Sequence, residues 1–238
     1  MVRSMIRAVM CCCLIAALAG AVLARGRGGE GRRQGLPGAF DFYVLSLSWA
    51  PAFCALEAYR APGRRQQECR RGPYGFIVHG LWPQYDRGFP EACVVPPPRL
   101  YRGIVKAMLD LMPEPRLIYN EWDRHGTCSG LSPRDYFATV RRAREAVTIP
   151  QKFQDLHEPL VASPAAVKDA FLKANAALQR DAIAVACQGR RLTEVRICLS
   201  KDLKFRPCPD VVAHSCRRDE VLITPLHRDA GDAGEPFP

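Results

Sequence analysis

No two cysteines of this 238-residue chain stand in C-x-x-C spacing, and histidine occurs only five times. The first absence argues against zinc fingers and ribbons, whose ligands come in such close pairs. The second confines imidazole chemistry to a few positions. H-E-x-x-H is missing as well, so the usual zinc-hydrolase helix is not written here. There is no internal repeat, which excludes solenoid and propeller arrays. Only one long apolar run occurs, and it lies near the start. No later stretch is long enough to span a bilayer.

That run has the form of a secretory leader. Arg3 and Arg7 mark a charged start, AVMCCCLIAALAGAVLA runs apolar to Ala24, and Val22 and Ala24 offer a small-residue exit before Arg25. Residues 1–24 are therefore expected to be a signal peptide rather than a retained anchor. No cysteine follows the exit, so no lipoprotein signal is present. Cys11, Cys12 and Cys13 leave with the leader. Cys54, Cys69, Cys93, Cys128, Cys187, Cys198, Cys208 and Cys216 remain. An even number behind a leader implies four disulfides in an oxidising compartment, hence a secreted or periplasmic protein. Spacing alone leaves about 105 pairings open.

Acidic residues are in deficit: the net charge is +10, of which about +8 stays after the leader's two arginines are removed. A basic secreted chain favours polyanions, whether nucleic acid, envelope surface or acidic glycan. Residues 25–39, rich in Gly and Arg, read as a flexible basic arm. Residues 227–238 read as a loose tail, which leaves an ordered domain over 40–226.

Within it, DFYVLSLSWAP is a β-rich run that Pro51 ends. GFIVHGLWP has a strand core from Phe76 to Val78, then a Gly break and a Pro stop, so His79 is expected at a strand end. RLYRGIVKAMLDLM has helical period from Arg99 to Met112. Ser132-Pro133 and Ser163-Pro164 each start a helix, running to Val147 and to about Leu178. AIAVAC and LTEVRICLS read as two strands joined by a turn, and VLITP as a short last strand. Strands and helices mix without βαβ alternation, which argues an α+β fold.

Two segments carry chemistry. In NEWDRHGTC, a helical reading puts Glu121 and His125 on one face, with Asn120 and Arg124 on a neighbouring one. Trp122 is expected to point into the core and Gly126 to end the helix. Alone, this is more simply a solvated Glu–His pair. His79, beside an apolar strand, is alone more simply a structural histidine. Together, two imidazoles, a carboxylate and a guanidinium suit RNA cleavage by its own 2′-hydroxyl. One imidazole removes the 2′ proton and the other protonates the leaving 5′-oxygen. A guanidinium stabilises the phosphorane. The carboxylate orients His125 and raises its basicity, or acts as a hydrogen-bonding acid when protonated.

FIVHGLWPQY and EWDRHGTC, about 40 residues apart, resemble the two active-site segments of the ribonuclease T2 family. FYVLSLSWAPAFC and LTEVRICLSKDLKFRPCP extend the likeness over roughly Phe40 to Cys216. The resemblance implies a T2-like α+β fold, with a central antiparallel β-sheet, packed helices and four disulfides. It implies a secreted, metal-independent endoribonuclease of low base specificity, with no cofactor, an RNA substrate, no stable membrane association and a monomeric state. His79, Glu121 and His125 become the catalytic residues, with His125 the base and His79 the acid. Arg124 and Asn120 become phosphate ligands and Trp82 a base-stacking ring, for which core packing is the rival role. The implied pairings are Cys93–Cys128, Cys187–Cys216, Cys198–Cys208 and Cys54–Cys69. Two departures stand out: Asn120 holds a position that is often His, and Arg124 one that is usually Lys. Gln84 stands where some members carry Asp, so no purine preference is inferred. The alternative is a T2-like polyanion-binding protein with weakened catalysis.

Overall fold

The computed structural model describes residues 32–33, 35–60, 69, 72 and 74–226. The expected leader and tail lie outside the described residues, as does most of the basic arm. The end of that arm packs on the domain: the Gly38 N–H donates to the Cys128 carbonyl at 2.9 Å.

A six-stranded sheet organises the molecule. Numbering elements in chain order, β1 is Arg32–Arg33, β2 Phe42–Trp49, β3 Phe76–Gln84, β4 Phe89–Pro90, β5 Leu160–Ala162, β6 Ile183–Gln188, β7 Arg191–Leu199 and β8 Val221–Ile223. The large sheet runs β3-β2-β7-β8-β5, with β6 on the other side of β7. All its pairings are antiparallel except the short β7–β8 contact at Arg191 and Leu222. Among the described residues the α-helices of more than one turn are α1 Ala50–Arg60, α2 Arg102–Met108, α3 Pro115–Arg124, α4 Pro133–Glu145, α5 Pro164–Ala174 and α6 Pro209–Ala213. Thus Pro51 ends β2 as expected, but by sitting in the first turn of a helix that the sequence did not announce.

Alternation along β2 divides the sheet into two faces. Tyr43, Leu45, Leu47 and Trp49 enter the main core with Val78 and Leu81 of β3 and Val195, Ile197 and Leu199 of β7. Ile118 and Trp122 of α3, Tyr136 and Val140 of α4, and Phe171 of α5 cover them. Each such side chain, fully buried, contributes about 1.5–3 kcal/mol. The opposite face carries Phe42, Val44, Ser46 and Ser48. Only its first part is apolar, where Phe42 and Val44 cluster with Trp82 and the Cys198 and Cys208 sulfurs.

The helix starts follow their caps. The Ser132 hydroxyl accepts from the Asp135 N–H and the Ser163 hydroxyl from the Ala166 N–H, each with proline at the first turn. Both helices end earlier than periodicity suggests, at Glu145 and Ala174. The four disulfides join Cys54 to Cys69, Cys93 to Cys128, Cys187 to Cys216 and Cys198 to Cys208, the pairings implied by the resemblance.

Candidate active site

His79 is not at a strand end. β3 continues through it to Gln84, and the register against β2 shifts there: Val78 pairs with Leu47, and Gly80 with Ser46. His79 is the extra residue of a β-bulge. A bulge lets two successive residues leave the alternation. Val78 stays in the core, while His79 and Gly80 both face the polar side. β3 is an edge strand, which is why Pro83 is tolerated in it. Its outer edge is covered: the Val78 N–H donates to the Leu111 carbonyl at 2.9 Å, and the Leu81 carbonyl accepts from the Tyr136 hydroxyl at 2.9 Å.

α3 delivers the second segment. The Glu114 carboxylate caps it, and Ile118, Glu121 and Trp122 form its buried face. The Trp122 indole N–H donates to the Pro98 carbonyl at 2.7 Å, fixing the helix rotation. The helix ends at Arg124; His125 is the C-cap, with φ −119° and ψ −45°. Its last carbonyls find donors: Asp123 from the Thr127 hydroxyl, Arg124 from the Ala92 N–H, and His125 from the Cys128 N–H. Gly126 does not serve as a left-handed stop. It lies inside a 3₁₀ turn, Gly126–Ser129, and a Cβ there would strike Trp122 and Tyr136.

Glu121 meets His79 rather than His125. Its carboxylate is 2% exposed; Oε2 accepts from the Trp82 indole N–H at 2.7 Å, and Oε1 lies 3.6 Å from His79 Nε2. The expectation that Glu121 orients His125 through i,i+4 spacing fails: the His125 N–H still bonds the Glu121 carbonyl at 3.0 Å, but as the C-cap its φ of −119° departs from the helical value, and the Glu121 carboxylate is engaged by Trp82 and His79. The exposed Asn120 amide approaches Glu121 Oε1 at 3.5 Å. Gly80 makes room for the carboxylate, since a Cβ on it would overlap Glu121 and the Trp82 nitrogen.

Both imidazoles pack against one ring: Trp82 is 5.3 Å from His79 and 5.4 Å from His125, centroid to centroid. Their environments push them apart. Burial depresses His125 to about 3, helped by the charges of Arg124 and His79. Its Nδ1 is buried and bonds to no described group, so Nε2 is the atom left for chemistry. Burial also acts to lower His79, but the Glu194 carboxylate on Nδ1, and Glu121 beyond it, outweigh this and raise its pKa. Burial raises Glu121 too, against the pull of His79.

Arg124 lies beside this group but is engaged by the Glu91 carboxylate, with Nε donating at 2.6 Å and a second nitrogen close by. Its side chain is 42% exposed. Trp82 is half-buried against Phe42 and Val44, its N–H committed to Glu121.

Sequence reasoning missed Glu194 and Arg196 of β7. Glu194 Oε1 bonds His79 Nδ1 at 2.8 Å, Oε2 accepts from Arg196 Nε at 2.6 Å, and the Arg196 guanidinium lies 5.3 Å over Trp82. Their signal was present: two opposite charges two residues apart, interleaved with Val195 and Ile197, share one face of the strand.

The sequence model of the ribonuclease T2 family matches residues 40–208. A ribonuclease of Aeromonas hydrophila is 39% identical over 134 residues, which cover 55% of this chain and 59% of that protein. A probable ribonuclease of Haemophilus influenzae is 32% identical over 122 residues, 47% of this chain and 45% of the relative. The matches to these two thus span about half the length of each relative. Among solved structures, an RNase-related protein from Calystegia sepium superposes with a TM-score of 0.62 at 20% identity, covering 78% of this chain and 97% of its own. With the family sequence model spanning most of the domain and the fold shared, the chain belongs to the ribonuclease T2 family.

Proposed function

We propose that the protein is a secreted or periplasmic endoribonuclease that cleaves single-stranded RNA through a 2′,3′-cyclic phosphate, without metal or cofactor. The observation that carries this is the pair of imidazoles packed against Trp82, His79 bonded to the Glu194 carboxylate and His125 buried without a carboxylate partner among the described residues, so that their pKa values shift in opposite directions. Groups driven apart in this way suit opposite halves of an acid–base reaction.

Neutral His125, through Nε2, takes the proton of the 2′-hydroxyl as that oxygen attacks phosphorus. Protonated His79, through Nε2, gives its proton to the departing 5′-oxygen. The P–O5′ bond breaks and the cyclic phosphate forms. In the second step His79, now neutral, removes a proton from water, and His125 returns its proton to the 2′-oxygen. The products are a 3′-phosphate and the regenerated enzyme. A bound phosphodiester places an anion beside His125 and lifts its pKa toward a useful range. Arg124, tethered by Glu91, and Asn120 face the phosphate, and the exposed part of Trp82 receives a base. Glu121, whose pKa burial raises, borders the phosphate with Oε2 engaged by the Trp82 indole N–H.

End-group analysis of early digestion products tests this: 2′,3′-cyclic phosphates are expected, and excess chelator should leave the rate unchanged. His79→Ala and His125→Ala should each lower kcat/KM by about 10²–10⁴-fold. Full activity in both variants would favour a polyanion-binding role and end the mechanism.

A further inference from the structure

We propose that Glu194 is the positioning residue of the leaving-group acid: it holds His79 by Nδ1, with Arg196 clamping the second carboxylate oxygen, so that Nε2, on the Glu121 side, is the nitrogen left to deliver the proton. This rests on the reading of His79 as the acid.

The contacts form a closed circuit. The Trp82 indole N–H bonds Glu121 Oε2; Glu121 Oε1 faces His79 Nε2; His79 Nδ1 bonds Glu194 Oε1; Glu194 Oε2 bonds Arg196 Nε; and the Arg196 guanidinium lies over the Trp82 ring. Each member is held by two others. Glu194 is only 8% exposed in its side chain, His79 36% and Arg196 34%. A buried carboxylate with both oxygens engaged has little freedom to rotate, so it is a rigid anchor. A carboxylate on one imidazole nitrogen fixes the tautomer and leaves the other nitrogen to act.

The charges around His79 explain why two carboxylates are needed. Glu194 and Arg196 come from β7, Glu121 from α3, and the His125 ring lies across Trp82. Arg196 and burial both oppose a charged His79; Glu194 and Glu121 together overcome them. Against burial, the His79 hydrogen bond and then the Arg196 charge bring the Glu194 pKa down to about 2. Without Glu194, His79 would lose its anchor and most of its bias toward the acid form, while Arg196 would stand over Trp82 unpaired on that side.

The test is kinetic and uses two substrates of the same nucleoside: a dinucleotide, whose 5′-alkoxide must be protonated, and a 3′-(4-nitrophenyl phosphate), whose phenolate departs without help. Glu194→Gln keeps the shape and removes the charge. It should lower kcat on the dinucleotide by about 10- to 100-fold, with KM changing much less, and move the alkaline limb of the pH–rate profile to lower pH. On the nitrophenyl substrate the loss should be under about threefold. Glu194→Asp should recover part of the rate. Equal losses on both substrates, or an unmoved alkaline limb in a variant that unfolds at the wild-type temperature, would overturn the role of Glu194. His79→Ala, measured alongside, separates the two ideas: normal dinucleotide cleavage in that variant refutes the reading of His79 itself, whatever Glu194 does.

Discussion

Gly80→Ala adds one methyl group at the point where the two candidate active-site segments touch. The new Cβ would overlap the Glu121 carboxylate and the Trp82 nitrogen. Gly80 is not among the positive-φ glycines, so backbone strain is not at issue and the variant tests space alone. Trp82 cannot swing away freely, because its ring packs against Phe42 and Val44. Glu121 is buried and must move by roughly 1 Å, breaking its 2.7 Å bond from the indole. Losing one hydrogen bond to a charged group costs about 1.5–3 kcal/mol, and the overpacking costs about 1–3 kcal/mol. Partial relaxation makes these overlap, so a net loss of roughly 2 kcal/mol of folding stability is expected. A displacement of this size near the reacting atoms lowers rates by about 10²-fold. Urea titration and kcat/KM on RNA measure the two effects. Wild-type activity together with a wild-type urea midpoint would show that the carboxylate does not occupy the space over Gly80.

Two further outcomes follow from the covalent frame and the buried charges. Cys93 and Cys128 are 35 residues apart, so replacing both with alanine should cost about 4 kcal/mol on the loop-entropy scale; a loss below about 1 kcal/mol in urea would refute that ledger. Acid stability tests the site electrostatics. His125 has a folded pKa near 3 against an ordinary 6.5, so its contribution is complete above pH 6.5 and lost as pH falls toward 3. Glu194, at about 2 against an ordinary 4.5, contributes fully above pH 4.5 and loses this as pH falls toward 2. His79, raised, works the other way and loses its contribution as pH rises through its folded value. Unfolding free energy should therefore decline from pH 6.5 to 3, and His125→Ala should flatten the upper part of that decline; an unchanged slope would contradict the burial of His125.

Much of this site could be read from sequence because its titratable residues sit between rigid ones. Gly, Trp and Pro after His79, and Trp before and Gly after the Glu–His pair, announce fixed geometry. The placement of Trp122 in the core followed from helical spacing alone. What could not be read depends on partners distant in sequence. The bulge at His79 is a property of β3 against β2, and no local pattern marks it. Glu194 lies 115 residues from the imidazole it holds. The i,i+4 argument misled because it presumes an unbroken helix, whereas α3 stops one residue short of His125. Pro51 misled in a milder way: a residue that stops a strand is also a good first-turn residue of a helix.

The bulge sets the regularity of the sheet against the placement of an imidazole at a single position. With His79 removed from the chain, Val78 and Gly80 would become neighbours and face Leu47 and Ser46 in an uninterrupted ladder. The sheet would gain regularity and lose the imidazole. Point substitution cannot create such a feature in a regular strand, because it changes side chains without changing their count. One added residue can, and it leaves the hydrophobic alternation on both sides intact. The reading frame of β3 against β2 is thus part of the candidate active site, as much as any side chain in it.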